Sequence, residues 1–323
     1  MRRRSIAWVQ QIAMAFAGML LAGATDAQNF PSRPLRMIVP APPGGPLDSI
    51  TRPLAESLAV SFGQPVVVDN RAGANGIIAM EACARALPDG YTLCPSTIAM
   101  ISINPLLYRT LPYQPERDFV PVAALVALED ILVAAPQTRF SDFQDMISFA
   151  QANPGSLVWA SPGAGSVPHL YLERLRQWKK IEITHVPYKG AAPVVQALVS
   201  GEAHLAQIAA GTVLPLLRAG KLKALAASSP ILPGVPTLSE LGLEARMRSW
   251  FGLFAPAKAP SAVTERINRE TRKILGNLAF REKWLIPQGL TALDSTPDAF
   301  AAFIAQDRET IRSIVQSSGI RVD

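Results

Sequence analysis

The 323-residue sequence predicts an α/β fold in which mostly parallel strands are covered by helices. Short apolar runs typical of strands alternate with longer segments that have helical periodicity. The alternation occurs in two series, and the second begins near residue 130. A chain of this length is long enough for two domains of ordinary size.

The first series contains three strands and two helices. Pro53 lies inside the first of these helices, where it should kink the helix or delay its start. We predict strands at 35–39, 66–68 and 91–94, and helices at 49–61 and 77–86.

The second series continues the same alternation and ends in helices. Ser141 is the predicted N-cap of its first helix. We predict strands at 131–134, 157–160, 183–186, 203–208 and 222–227, helices at 141–152, 170–178, 193–200 and 213–219, an apolar segment at 250–255, and helices at 261–275 and 299–316.

Residues 1–27 have the pattern of a secretory signal peptide. Three arginines precede an apolar run over 12–21, and small residues follow it. The alternative is a membrane anchor, since the uncharged run over 5–25 is about long enough to span a bilayer. Gln10 and Gln11 interrupt the apolar part of that run, which favours a cleaved signal and a periplasmic protein.

Composition excludes several classes of function. The formal net charge is +6, yet no Lys/Arg tract accompanies it, so we expect no nucleic acid partner, and a weakly positive field suits small anions. Neither phosphate-binding glycine motif occurs. Cys83 and Cys94 fit no zinc pattern and are either bridged, as an exported protein permits, or two buried thiols. We expect neither a metal nor a cofactor.

Three strand-to-helix junctions, at 40–48, 94–100 and 161–170, are rich in glycine, serine and other small residues. Such loops expose backbone N–H groups, and N–H groups at a helix start bind anions. In open α/β sheets, ligands collect outside the carboxyl ends of the strands. A ligand that contacts all three junctions would lie between two lobes.

A catalytic site is not indicated. Ser166 does not lie in the G-x-S-x-G motif, and the histidines do not form an H-x-x-x-H pair. His169 either holds its glycine loop through a backbone carbonyl or contacts a ligand. Asp48 is either a first-turn residue that supports the helix start or a catalytic acid.

Motifs along nearly the whole chain resemble the Bug family, the periplasmic substrate-binding proteins of tripartite tricarboxylate transporters. The resemblance rests on FPSRPLRMIVP (30–40), GGPLD (44–48), VVVDNRAGANG (66–76), PDGYTL (88–93), INPLLY (103–108), LPYQPERDFVPVA (111–123), GSVPHL (165–170), VPYKGAAP (186–193), AGKLKALA (219–226) and SWFGLFAPAKAP (249–260).

The resemblance implies a periplasmic-binding-protein-like Venus flytrap, with a mostly parallel sheet flanked by helices in each lobe. Residues 28–128 and 251–323 would form lobe 1, and residues 129–250 would form lobe 2. It implies a monomer that delivers a small organic acid to the membrane components of the transporter. Two alternatives are a ligand-sensing partner of a membrane sensor kinase and an exported enzyme on the same fold.

The family's ligand carboxylate is held by loop amides in the cleft, which implies the ligand contacts in this chain. These are Pro43, Gly44, Gly45, Asp48, Ser96, Thr97, Ile98, Gly163, Ala164, Gly165, Ser166, His169, Ile208 and Ala209.

Two departures from the family pattern bear on the ligand. Ala41 stands where the family usually has an aromatic residue, and Gln207 stands where it often has an acidic one that meets an amino group. We therefore do not expect an amino-acid ligand. Ile98, Met100 and Ile208 would desolvate an apolar group, which suggests an aromatic or longer aliphatic acid.

Overall fold

A computed structural model describes residues 30–243 and 248–318 of the chain. The predicted signal peptide therefore lies outside the described residues. Within those two ranges, every helix is too short or too polar to cross a bilayer.

The first sheet has six strands in the order β11-β4-β10-β3-β1-β2. Strand β1 is parallel to both of its neighbours, whereas β10 is antiparallel to β3 and β4, and β11 is antiparallel to β4. The strands are β1 (Leu35–Val39), β2 (Val66–Asn70), β3 (Thr92–Thr97), β4 (Phe119–Leu128), β10 (Trp250–Pro256) and β11 (Leu290–Ala292).

The second sheet has five strands in the order β7-β6-β8-β5-β9. Strand β6 is parallel to both neighbours, and β5 is antiparallel to both of its own. The strands are β5 (Asp130–Ala134), β6 (Val158–Ser161), β7 (Thr184–Pro187), β8 (Leu205–Ala209) and β9 (Lys223–Ala227).

Eight longer helices cover the two sheets in the described ranges. They are α1 (Pro46–Phe62), α2 (Ile77–Ala84), α3 (Phe143–Ala152), α4 (Val167–Lys179), α5 (Ala191–Ser200), α6 (Ala210–Arg218), α7 (Ser261–Gly276) and α8 (Pro297–Ser318).

The two-sheet α/β architecture is confirmed, with local differences. Both sheets are mixed, because the strands on either side of the crossings between them run antiparallel to their neighbours. Helix α1 starts earlier than predicted, because Pro46 is well suited to the first helical turn. The helix also continues through Pro53. The N-cap of α3 is Asp142 instead of Ser141, since the Asp142 carboxylate accepts the N–H of Asp145.

Hydrophobic residues fill both faces of each sheet. One cluster is continuous from the α2 and α8 face of the first sheet to the α3 and α4 face of the second. It includes Ile38, Leu132, Leu170, Ile311 and Ile314. The two cysteines are bridged: the disulfide joins Cys83 in α2 to Cys94 in β3, with the Cα atoms 6.2 Å apart.

Strand directions place the carboxyl edges of the two sheets at the same crossing. Strand β4 runs parallel to β1 and β3, because β10, the one strand between β4 and β3, is antiparallel to both. Strand β5 runs against β8, and β8 is parallel to β6. Only Glu129 separates the end of β4 from the start of β5. The crossing therefore joins the edge where β1 and β3 end to the edge where β6 and β8 end.

Candidate functional site

The loop from β1 to α1 bends back on its own helix. Gly44, whose φ is +79°, donates its N–H to Asp48 Oδ2 at 2.8 Å. Gly45 donates its N–H to the carbonyl oxygen of Pro42 at 3.1 Å. Both predicted amide donors thus have internal partners here. The N–H groups of Leu47 and of Asp48 itself lie in the first turn of α1, where N–H groups have no acceptor within the helix.

Asp48 is a buried, ionised anchor for this loop. Its carboxylate accepts hydrogen bonds from Arg52 Nε at 2.8 Å and Asn70 Nδ2 at 2.7 Å, in addition to Gly44. Burial by itself raises the pKa of Asp48, but the hydrogen bonds from Arg52, Asn70 and Gly44 outweigh it and leave the pKa below its usual value. The Asp48 side chain is only 2% exposed. Its contacts are those of a residue that supports the loop and the helix start.

The junction after β3 is mostly packed into the protein. The Ser96 hydroxyl points at Met80 Sδ, 3.0 Å away, and Ile98 and Met100 lie in the hydrophobic core. A Cβ atom on Gly76 would come within 2.3 Å of the Met100 methyl carbon, so Met100 packs tightly against that glycine. Half-buried Thr97 is the residue of this junction with a polar side chain that a ligand can reach.

The loop from β6 to α4 has the same plan as the first loop. Gly165, whose φ is +74°, donates its N–H to His169 Nδ1 at 3.1 Å. The Ser166 hydroxyl donates to the carbonyl of Gly163 at 2.7 Å, and Ala164 is exposed at the tip. His169 holds the loop as expected, but through an amide N–H instead of a carbonyl. The N–H groups of Val167 and His169, on either side of Pro168, remain in the first turn of α4.

One residue that sequence reasoning missed supports this second loop. His185 on β7 stacks on His169 with ring centroids 3.8 Å apart, and its Nε2 lies 2.7 Å from Ser161 Oγ. Burial lowers the pKa of both His169 and His185 to about 4, so both rings are neutral. The pairing of predicted strands 157–160 and 183–186 is the signal that could have brought His185 to the loop.

The junction after β8 directly contacts the segment that precedes β11. Ile208 is buried in the cluster beneath α5 and α6, and Ala209 is half-buried. A Cβ atom on Gly211 would lie 2.4 Å from the backbone of Gln288. The Gln288 side chain in turn accepts a hydrogen bond from Ser49 Oγ in α1, at 2.7 Å. Gln288 therefore connects the first turns of α1 and α6.

The crossing contains a buried acidic residue that sequence reasoning also missed. Glu129 accepts hydrogen bonds from Ser228 Oγ at 2.9 Å, Thr291 Oγ1 at 3.0 Å, Ser229 and Arg248. Ser228, Ser229 and Arg248 lie in the second crossing, the connection from β9 to β10, and Thr291 lies in β11. Glu129 thereby ties both crossings together.

Asp130 adds a second carboxyl to this hinge. Its Oδ2 accepts from Ser249 Oγ at 3.1 Å, and burial raises its pKa to about 7. A pair of adjacent acids inside an otherwise apolar run, 120–135, is the sequence signal that could have drawn attention to the crossing.

Together the junctions present uncharged donors at the facing edges. Because β1 lies beside β3 and β6 lies beside β8, the loop after β1 lies near Thr97, and the loop after β6 lies near Ala209. Two helix starts, those of α1 and α4, then direct N–H groups toward the crossing. Such an arrangement can bind a small anion without a side-chain cation. In the described ranges, no cluster of three acidic, histidine or cysteine side chains could hold a metal ion.

The chain is similar to known proteins along most of its length. A family model described as "Tripartite tricarboxylate transporter family receptor" matches residues 50–320. The chain is 35% identical to Protein BugT of Bordetella pertussis, over 96% of each chain.

Two solved structures of similar proteins contain ligands. R. palustris Rpa4515 with adipate is 31% identical, with a TM-score of 0.82, over 90% of this chain and 99% of that one. MatC (Rpa3494) from Rhodopseudomonas palustris with bound malate is 30% identical, with a TM-score of 0.76, over 88% and 100% of the two chains. The Bug resemblance and the two-lobe fold predicted from the sequence are confirmed.

Proposed function

Because the chain belongs to the tripartite tricarboxylate transporter receptor family, we propose that it is a periplasmic protein that captures a small organic carboxylate between two lobes. The proposed lobes are 28–128 with 251–323, and 129–250. The captured acid would be delivered to the membrane components of a transporter.

The observation that carries the proposal is the pair of helix starts at the facing edges. Each offers two first-turn N–H groups, at Leu47 and Asp48 in α1 and at Val167 and His169 in α4. N–H groups at a helix start carry partial positive charge and favour a carboxylate. Similar proteins bind adipate and malate, both of which carry two carboxylates.

The loops contribute differently to the proposed contacts. Pro43, Gly44 and Ala164 are exposed at the loop tips, while Gly45, Thr97, Gly163, Ser166 and Ala209 are half-buried around them. Asp48, Gly165 and His169 are buried and position the loops, and Ser96, Ile98 and Ile208 act from the layer behind. The ligand would therefore meet the small residues of the loop tips first and the first-turn N–H groups of α1 and α4 behind them.

Closure of the lobes completes the proposed site. The crossings at Glu129 and near Arg248 form the hinge, and hinge closure around a ligand is a common motion in periplasmic binding proteins. Gln288 already contacts both Ser49 and Gly211 across the entrance. A carboxylate bound to both helix starts would add contacts that favour the closed form.

A binding panel tests the proposal. We expect adipate, malate or an aromatic monocarboxylate to bind in isothermal titration calorimetry, and the amide of the same acid to bind at least about tenfold more weakly. Aspartate is the matched control for an amino group. Binding that requires the amino group, or amide binding as tight as that of the acid, would contradict the proposal.

We propose that the bound acid is not altered. Among the described residues, the Ser161–His185 pair is the arrangement closest to a nucleophile and base, but Ser161 is fully buried and its hydroxyl donates to the Gly163 carbonyl at 2.9 Å. NMR of the acid after long incubation should therefore return the starting compound. A new product would indicate an enzyme.

A further inference from the structure

A groove on lobe 1, away from the junctions, lies between α8 and the short helix Pro115–Asp118. It consists of two adjoining cavities, of about 540 Å³ and about 300 Å³. Both are lined by Pro115, Glu116 and Arg308, so these residues mark the boundary between them. Volumes of this size are typical of sites for small molecules. We call this feature the α8 groove.

The two cavities differ in chemistry. The smaller one is lined mainly by apolar side chains, among them Ile101, Phe119, Phe254 and Ile304. The larger one is lined by four arginines against a single acid, Glu116. These arginines are Arg109, Arg117, Arg308 and Arg312. A molecule that fits both cavities would carry negative charge at one end and apolar atoms at the other.

Three of the arginines have acidic partners that an incoming anion can replace. Arg308 pairs with Glu116, whose side chain is 76% exposed, and Arg312 pairs with Glu309, which is 72% exposed. Arg117 is itself 65% exposed where it pairs with Asp118. In each pair at least one partner is exposed to water, which screens the attraction and limits the free energy that the pair contributes. An anion that brings an apolar part into the smaller cavity would therefore compete well.

Arg308 is the residue best placed to hold such an anion. Its side chain is only 14% exposed, and its Nε donates to the carbonyl of Ile101 at 3.2 Å. That hydrogen bond fixes the guanidinium at the boundary of the two cavities. A planar guanidinium held there can receive a carboxylate through two parallel hydrogen bonds.

We propose that the α8 groove is a second binding site, for an amphipathic organic anion such as a medium-chain carboxylate. The carboxylate binds Arg308, and the chain lies against Ile304 and Phe254 in the smaller cavity. This site is separate from the one at the facing edges and does not depend on the function proposed for it.

Decanoate is the probe, with decanol as its neutral counterpart. We expect decanoate to slow hydrogen exchange in peptides covering 101–119 and 301–312, and decanol to have much less effect. Arg308→Gln should lower decanoate affinity at least about tenfold, since a charge-assisted contact is lost. Arg269→Gln, at an exposed position on α7, is the matched control and should leave affinity unchanged.

Glu116→Gln distinguishes this site from a merely structural role of Arg308. Removing the exposed competitor should raise decanoate affinity by about two- to fivefold, and this variant should fold normally. Protection at 40–48 and 161–169 alone would assign decanoate to the facing edges and overturn the proposal. Equal binding of decanol, or unchanged decanoate affinity in both Arg308→Gln and Glu116→Gln, would overturn it as well. A protein that binds anionic phospholipid vesicles but not free decanoate would also overturn it.

Discussion

The loops after β1 and β6 have the same backbone arrangement, but the side chain that anchors the first is charged and the one that anchors the second is neutral. In each, a glycine with positive φ donates its N–H to the side chain four residues later, from Gly44 to Asp48 and from Gly165 to His169. The N-caps also match, with φ and ψ of −70° and 165° at Gly45 and −71° and 160° at Ser166. Yet the acceptor is an ionised carboxylate in lobe 1 and a neutral imidazole in lobe 2.

The two acceptor side chains are stabilised in different ways. Arg52 forms an ion pair with Asp48, and the neutral Asn70 amide donates a hydrogen bond to it, but a carboxylate still lies behind the start of α1. His169 needs no counter-charge, because burial keeps it neutral. The start of α4 thus has no carboxylate in its loop to oppose a ligand anion. We expect the ligand carboxylate to bind more closely at α4 than at α1.

The largest expected effect comes from a change that keeps both loops intact but holds them apart. In Gly211→Ala, the new Cβ atom would overlap the Gln288 backbone at 2.4 Å, so the lobes must shift. We expect affinity for the acid to fall by about a hundredfold, because overpacking of this kind costs several kcal/mol. Calorimetry is the measurement. Gly276→Ala, which has open space around its Cβ position, is the control. An equal loss of affinity in that variant would show that the contact between Gly211 and Gln288 is not the cause.

The next largest effect should come from removing the Asp48 carboxylate, which anchors the loop after β1. Asp48→Ala removes the acceptor of three hydrogen bonds, and we expect the free energy of unfolding to fall by about 2–3 kcal/mol in urea titrations. Asp298→Ala removes an exposed acid from the first turn of α8 and should cost about 0.5 kcal/mol or less. Similar losses in the two variants would show that the Asp48 network contributes nothing special.

Removing the His169 acceptor from the loop after β6 should lower the free energy of unfolding by a smaller amount. His169→Phe keeps an aromatic ring near His185 but leaves the buried Gly165 N–H without an acceptor, which we expect to cost about 1–2 kcal/mol. His169→Gln can accept that N–H and should recover part of the loss. If the Phe variant is as stable as the parent, the hydrogen bond does not hold the loop.

The smallest expected effect is on the pH dependence of the free energy of unfolding. Between about pH 4 and 6.5, unfolding protonates His169 and His185, whose pKa is lowered to about 4, so acid destabilises the protein through them. Asp130 and Asp307 act in the opposite sense, because burial raises their pKa to about 7 and about 6. The parent should therefore show little pH dependence in this window. The lowered pKa of Asp48 matters only below its unfolded value of 3.8.

Urea titrations from pH 4.5 to 6.5 measure these contributions. His169→Gln should make the protein more stable as the pH falls, by up to about 1.4 kcal/mol per pH unit relative to the parent. Asp48→Asn should not change the slope in this window, although it lowers stability throughout. Parallel pH profiles for the parent and both variants would mean that His169 titrates normally in the native state.

Most of the fold was predictable because local patterns decide it. Apolar runs and glycine junctions identified all five strands of the second series, and helix periodicity identified α7 and α8. The direction of β10 was not predictable, since an apolar run such as 250–255 reads alike in either direction. Only pairing with β3 and β4 makes it antiparallel.

The sequence predicts which junctions form the proposed site, which stays a prediction, but not the hydrogen bonds within them. The junctions were identified because glycine and serine cluster there, yet the sequence does not reveal that the N–H groups of Gly44 and Gly165 have internal partners. The G-x-x-x-D and G-x-x-x-H spacings carry that information only once both segments are known to be loop followed by helix. His185 and Glu129 depend on contacts distant in sequence, which no local pattern encodes.

A crystal structure with the acid that binds most tightly in the panel tests the central claim most directly. We expect carboxylate oxygens within about 3.2 Å of the N–H nitrogens of Val167 or His169, with the far end of the acid reaching the start of α1. An acid bound through arginine side chains alone, or found only in the α8 groove, would contradict it.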